Sequence, residues 1–130
     1  MSVEENKALA RRFADERWNK GNLDICDEML APGHDLQAER EWLASIHAIY
    51  SDIEYTFLDI LGEGDKVVIH WRFSGTHRGQ HYLGVAPTGK RVTVQGLALF
   101  RIVDGKIAED ISYWDDLSVL NQIRTTADSE

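Results

Sequence analysis

The apolar residues of this chain change their repeat at Ser51-Asp52, and that change limits what the stretches on either side can become. Before it they recur every three or four positions, the spacing of one helix face. After it they alternate, the spacing of a half-buried strand. On the helical side Leu9, Ala10, Phe13, Ala14 and Trp18 trace one stripe. Ser2 and Glu5 stand ahead of it as a capping box, in which each side chain satisfies an orphan amide of the first turn. Gly21 predicts the stop, and Asn22 the cap of a second, short helix carrying Leu23, Cys26, Met29 and Leu30, closed by Ala31-Pro32-Gly33. Asp35 predicts the cap of a third, with Trp42, Leu43, Ile46, Ile49 and Tyr50 on its stripe.

On the alternating side, Ile53, Tyr55 and Phe57 predict a strand, Gly62-Glu63-Gly64-Asp65 a turn, and Val67, Ile69, Trp71 and Phe73 a second strand. Gly75, Gly79, Gly84, Pro87 and Gly89 predict a long loop over residues 75–90. Asp104-Gly105 reads as a two-residue hairpin turn between strands running from Arg91 to Val103 and from Lys106 to Trp114. A short last helix is expected from Asp115 or Asp116, with Leu117, Leu120 and Ile123 on one face, and residues 125–130 read as a frayed tail. Neither a repeat nor a linker interrupts the 130 residues, so residues 1–130 are expected to form a single domain. Helices followed by an antiparallel meander predict an α+β fold, a curved antiparallel sheet wrapped round N-terminal helices with a short C-terminal helix. Such a sheet leaves a concave, mostly apolar space of the kind small molecules occupy.

Charge narrows the partners. Lys plus Arg number 14 and Asp plus Glu 22, a formal charge of −8, and no basic cluster compensates locally. A surface of that sign is unsuited to phosphate backbones or anionic membranes, which argues against nucleic-acid and membrane partners. Cys26 is the single cysteine, so no intrachain disulfide forms, and its neighbours Ile25 and Met29 predict a buried, inert thiol. No apolar segment of signal-peptide or membrane-spanning length occurs, which points to a cytoplasmic protein.

No phosphate-binding loop, nucleophile elbow or CxxC pair is present. His77 and His81 are four apart, but Gly79 between them in an expected loop denies them helical ligand geometry, so no metal is expected. The hairpin gives a register. If Val103 pairs with Lys106, then Leu99 lies opposite Asp110, Leu97 opposite Ser112 and Gln95 opposite Trp114. Asp110 then shares a face with leucines, and a carboxyl in apolar surroundings has its charged form disfavoured, as a proton-transferring group near neutral pH requires. The other face, with Ala98, Phe100, Ile102, Ile107, Ile111 and Tyr113, is equally apolar, so spacing leaves open which face lines the pocket; a bulge near Gly96 would swap the two locally. Trp18, Trp71 and Trp114 are candidates for a flat aromatic cavity wall as well as for core. Tyr50 and His47, at the end of the third helix, are placed to reach a cavity mouth. His70 and Arg72 alternate with apolar strand residues and read as a solvated or interface face, and Glu109 points away from Asp110.

Two stretches, ARRFADERWNKGNLDICDEMLAP and GDKVVIHWRFSGTHRGQHYLGVAPTGKRVTVQGLALFRIVDGKIAEDISYWDDLSVLNQI, resemble the SnoaL-like polyketide cyclases of the nuclear-transport-factor-2-like superfamily. GTH, PTG and DGKIAE…WD carry the resemblance in order and spacing. It implies a cone-shaped α+β barrel with a pocket at the wide end and a homodimer or tetramer. It also implies intramolecular aldol ring closure with an acidic residue of the last strand as acid/base and no metal or organic cofactor. That acidic position falls on Asp110, and Gln95 falls near a polar pocket position. Relatives have a longer segment after LAP ending in a pocket histidine; here the segment is shorter and His34 is the nearby histidine, which implies a wider mouth.

Together these give a cofactor-free cyclase, or a related lyase or isomerase, for a hydrophobic carbonyl-rich small molecule. In it Asp110 moves the proton, Gln95 and His34 hold the enolate oxygen, and Trp18 and Trp114 sandwich a flat substrate. The alternative is a non-catalytic ligand-binding or dimerisation module. Epoxide hydrolysis would want an acid–arginine–acid group, for which Arg72 and Arg101 are the arginines considered beside Asp110.

Overall fold

Side chains at both ends of the first helix fix where it starts and how it docks. In the computed structural model, which describes residues 1–124, α1 covers Val3–Trp18 and opens with the expected capping box between Ser2 and Glu5. Its buried face is Asn6, Ala10, Phe13, Ala14, Arg17 and Trp18, a helical stripe with one cation in it. At the other end the Asn19 side-chain amide pairs with the backbone of Tyr55, donating to its carbonyl at 3.1 Å and accepting from its N–H at 2.7 Å. α2 is a single short helix, Asp24–Met29, and α3 covers Leu36–Ile49 with the Asp35 carboxylate accepting from the Ala38 N–H at 3.0 Å. α3 buries Leu43, Ile46 and Ile49, while Trp42 is left half in solvent.

Four antiparallel strands follow in meander order, β1 Tyr50–Glu63, β2 Lys66–His77, β3 Arg91–Val103 and β4 Lys106–Trp114, and α4 covers Asp116–Arg124. Both turn residues between β3 and β4 are left-handed, Asp104 at φ 51° and Gly105 at φ 73°, the geometry that suits a tight hairpin. β2 extends beyond the alternating set that ends at Phe73. That strand runs on through Gly75 and Thr76 to His77, where Gly75 lets Tyr50 and Phe73 lie against the backbone, so the loop is residues 78–90. His77 is accordingly a fully buried strand end, bonded to the Gln80 carbonyl at 2.9 Å and to Thr88 at 3.3 Å, and not a loop histidine. α4 also turns a different face inward than expected: Val119 and Ile123 are buried and Leu117 is exposed. The expected tail at 125–130 lies outside the described residues.

The concave face of the sheet meets α1, and with α4 it closes one core around Phe13, Val67, Ile69, Phe73, Val92, Phe100 and Val119. Cys26 is buried in it, and burial pushes its thiol above the ordinary range. Bulges bend the sheet: β1 carries one extra residue beyond Ser51 and another beyond Phe57, and β4 carries one at Ala108.

Candidate functional site

The bulge at Ala108 decides the site. Val103 pairs with Lys106 and Ile102 with Ile107, but Arg101 then pairs with Glu109, so Ala108 is left over. Asp110 therefore stands opposite Phe100 and not Leu99, Ser112 opposite Ala98 and not Leu97, and Trp114 opposite Gly96 and not Gln95. This corrects the register read from the hairpin, because an odd residue in one strand inverts the faces beyond it. Asp110, Ser112 and Trp114 share the concave face with buried Ala98 and Phe100, while Ile111 and Tyr113 turn out to solvent.

On that concave face a cleft of about 510 Å³ opens between the end of α1, the first half of α3 and β4. Its floor is Arg17, Asp110 and Ser112, its walls are Trp18, Ala38 and Trp42, and Asp35 and Glu39 stand on the α3 side. Arg17 is 5% exposed, and its guanidinium donates from Nη1 to Asp110 Oδ2 at 2.6 Å. Nη2 lies 4.0 Å from Glu39 Oε2, and the guanidinium carbon sits over the rings of Phe13 at 4.7 Å and Trp42 at 5.3 Å. Nε is buried without a partner among the described residues. Ser112 Oγ donates to the other Asp110 oxygen at 3.4 Å. The surroundings expected for Asp110, an isolated carboxyl among leucines, are thus replaced by a carboxylate paired with a buried cation.

Local structure holds this pair in place. Asn19 clamps the end of α1 to β1 as described, and His47 Nε2, on the last turn of α3, donates to the Arg17 carbonyl at 2.8 Å. Tyr55 stacks on Trp18 at 5.4 Å, and burial, with the Asp110 charge adding to it, raises its phenol above the ordinary range. Trp18 also meets Trp42 edge-on at 5.5 Å and lies nearly parallel to Trp114 at 6.4 Å.

Of the residues singled out from sequence, Asp110 and Trp18 line the cleft. Trp114 lies behind Trp18, packed against Phe73 at 4.9 Å and Trp71 at 5.5 Å. Trp71 and Tyr50 are 2% exposed and belong to the core, so Tyr50 is not at the cavity mouth. His47 is a helix clamp. His34 closes the turn after α2, donating from Nδ1 to the Ala31 carbonyl at 2.9 Å, and is not among the cleft residues. Gln95 is corrected most clearly. It lies on the convex face, with Oε1 3.0 Å from His70 Nε2, because the bulge carries Asp110 to the opposite side. Arg72 faces solvent and Arg101 pairs with Glu109 at 2.8 Å, so neither reaches Asp110. Sequence reading missed Arg17, Glu39 and Trp42. For Arg17 a signal was present: it is one turn beyond Phe13 on the apolar stripe of α1, where a charge has no business unless it is paired.

With the geometry in place, comparison with known proteins is informative. The family model described as SnoaL-like polyketide cyclase matches residues 8–123. No curated protein matches the chain. Among solved structures, a candidate SnoaL-like polyketide cyclase from Jannaschia sp. CCS1 is 27% identical with a TM-score of 0.85, covering 95% of this chain and 94% of that one. TsrD from Streptomyces laurentii is 24% identical with a TM-score of 0.83, over 97% and 99%. AclR, a candidate hydroxylase from Streptomyces galilaeus, is 23% identical with a TM-score of 0.85, over 97% and 85%. The last two establish likeness of fold alone.

Proposed function

Because the chain belongs to the SnoaL-like polyketide cyclase family, we propose that it is a cofactor-independent enzyme of carbonyl chemistry on a hydrophobic, carbonyl-rich small molecule. Asp110 takes the proton from a carbon flanked by carbonyl groups, and the C–H electron pair passes into an enolate. The enolate carbon adds to a second carbonyl of the same molecule, and the new alkoxide recovers the proton from Asp110, which closes the ring by an intramolecular aldol addition. Stopping after proton transfer would give related isomerase or lyase chemistry. Trp42, half in solvent, offers a flat face for the substrate, with buried Trp18 edge-on to it at 5.5 Å.

One observation carries this reading. A β-bulge at Ala108 brings Asp110 to the concave face, onto the floor of an aromatic-walled cleft. A carboxylate placed there is within reach of a bound ligand, as proton transfer requires. The test is Asp110→Asn assayed on linear polyketones. Loss of at least about 10² in rate with the fold intact is expected of a positioned acid/base. Equal rates in wild type and variant would remove Asp110 from the mechanism. Ligand binding without any turnover would favour the second reading, a non-catalytic binding module, which has its own support in the way Arg17 already occupies Asp110.

Homodimerisation through the convex sheet face belongs to the same proposal. Leu61, Leu97, Ile111 and Tyr113 are exposed there at 65%, 48%, 43% and 70%. Leu61 and Leu97 border a groove of about 420 Å³ that also takes in Val68. No helix among the described residues is long and apolar enough to cross a membrane. The formal charge of −8 is unsuited to phosphate backbones, so a small molecule and a second copy of the chain are the partners proposed, in a cytoplasmic setting.

A further inference from the structure

The lining of the cleft holds one cation against three carboxylates, Arg17 against Asp35, Glu39 and Asp110. A ligand that arrived as a ready-made anion would add to an existing negative excess in a partly desolvated space. A neutral carbon acid that gives its proton to Asp110 adds nothing, since one negative charge is created as another is quenched. Arg17 is held for such an exchange. It is 5% exposed, its Nη1 is 2.6 Å from Asp110, and its Nε is buried with no acceptor among the described residues. The groups first assigned to the substrate oxygen are elsewhere, Gln95 on the convex face and His34 in the turn after α2.

We infer that Arg17 is the oxyanion-holding residue of this cleft, exchanging its bond to the Asp110 carboxylate for one to the enolate oxygen of the ligand when Asp110 takes up the proton. The inference rests on reading Asp110 as the proton acceptor. The C–H proton moves to an Asp110 oxygen, the electron pair of that bond becomes the enolate, and Arg17, losing an ionic partner on one side, gains one on the other. After the addition step Asp110 gives its proton to the alkoxide and Arg17 recovers its original partner. The ligand class follows: a molecule with an acidic C–H between carbonyls, or its stable enol, in preference to a permanent anion of equal shape that has no proton to bring.

Other groups face the pair and bear on its titration. They are Glu39 and Asp35 from the α3 side, His47 from the last turn of α3, Tyr55 of β1 and Cys26 of α2, whose thiol feels the Arg17 charge. Substitution at Asp110 separates its proton from theirs.

The experiment is calorimetric binding of phenindione, a flat cyclic β-diketone already an enolate at neutral pH, in two buffers of different ionisation enthalpy, with neutral indanone as control. Wild type is expected to take up about one proton per phenindione bound, with affinity falling about tenfold per pH unit as pH rises above neutral. Asp110→Asn is expected to bind it with no proton uptake and little pH dependence. Arg17→Gln is expected to lose at least tenfold in phenindione affinity and little in indanone affinity. Arg17→Lys, which keeps the charge should the glutamine variant fail to fold, should weaken phenindione while retaining the proton uptake. Wild-type binding without proton uptake, no phenindione binding, or equal phenindione affinity when Arg17 is replaced would each overturn the inference. None of these readings needs turnover, so they leave the rate test of Asp110 standing, and absence of turnover leaves the proton count readable.

Discussion

At the scale of single residues, Gly96 shows how little freedom the concave face has. Gly96 faces the Trp71 indole: a Cβ there would lie 2.2 Å from the ring and 2.3 Å from the Tyr113 carbonyl oxygen. The second contact is backbone, so β4 itself must move to relieve it. Gly96→Ala is therefore expected to cost about 2–3 kcal/mol, at the upper end for overpacking, measured by denaturant unfolding. An unchanged midpoint would mean that the strands slide more easily than this packing implies. The tyrosines give a pH prediction. Tyr50, Tyr55 and Tyr82 all have phenols raised above the ordinary range, chiefly by burial, with Asp116 adding to the effect at Tyr50 and Tyr82. A phenol that stays protonated when folded but ionises near about pH 10 when unfolded leaves the native state holding more protons above that pH. Stability is thus fully present below that value and lost as pH rises through it. Ultraviolet titration should show these three phenols ionising together with unfolding, and separate ionisation of a folded protein would contradict their burial.

At the scale of elements, most of the fold was legible because each signal was local. Ser2 with Glu5 and Asp35 with Ala38 are short-range hydrogen bonds, and Asp104-Gly105 is a turn that two residues define. The site was less so, for one physical reason. A bulge is a single unpaired residue between runs that look regular, and Ala108 bears no glycine or proline to mark it. Counting from the hairpin therefore put Asp110 opposite Leu99, on the face that also carries Gln95. Arg17 escaped notice because the partner that justifies a buried cation is 93 residues away in sequence. Deletion of Ala108 tests this account. With the extra residue gone, Glu109 stays opposite Arg101 and Asp110 opposite Phe100, so a regular ladder should keep Asp110 on the concave face beside Arg17. Two outcomes are expected: phenindione still binds with proton uptake, and the uptake is lost when Asp110→Asn is added. A deletion variant in which Asp110→Asn changes nothing would show that β4 pairs in another register.

At the scale of the molecule, the two faces of the sheet differ in what covers them. The concave face is filled by α1 and α4 except at the cleft, while the convex face keeps Leu61, Leu97, Ile111 and Tyr113 in solvent around a polar cluster of Asp59, His70 and Gln95. Two copies meeting there would bury apolar surface but bring together two bodies of charge −8 each. The first contribution is short-ranged and indifferent to salt. The second acts over a Debye length of about 8–10 Å and fades as ions screen it. Association should therefore tighten as salt is raised from low to physiological strength, the reverse of what paired opposite charges would give. Leu97→Glu places a further negative charge in the patch, and in a symmetric dimer it does so twice. Sedimentation equilibrium is expected to show wild type as a dimer and Leu97→Glu at least tenfold weaker, a change of about 1.4 kcal/mol. Phenindione binding should be unchanged, because Leu97 points away from the cleft. A variant that stays dimeric at the wild-type constant would move the contact off this face, and one that also lost phenindione would mean that the cleft depends on the second copy for its shape.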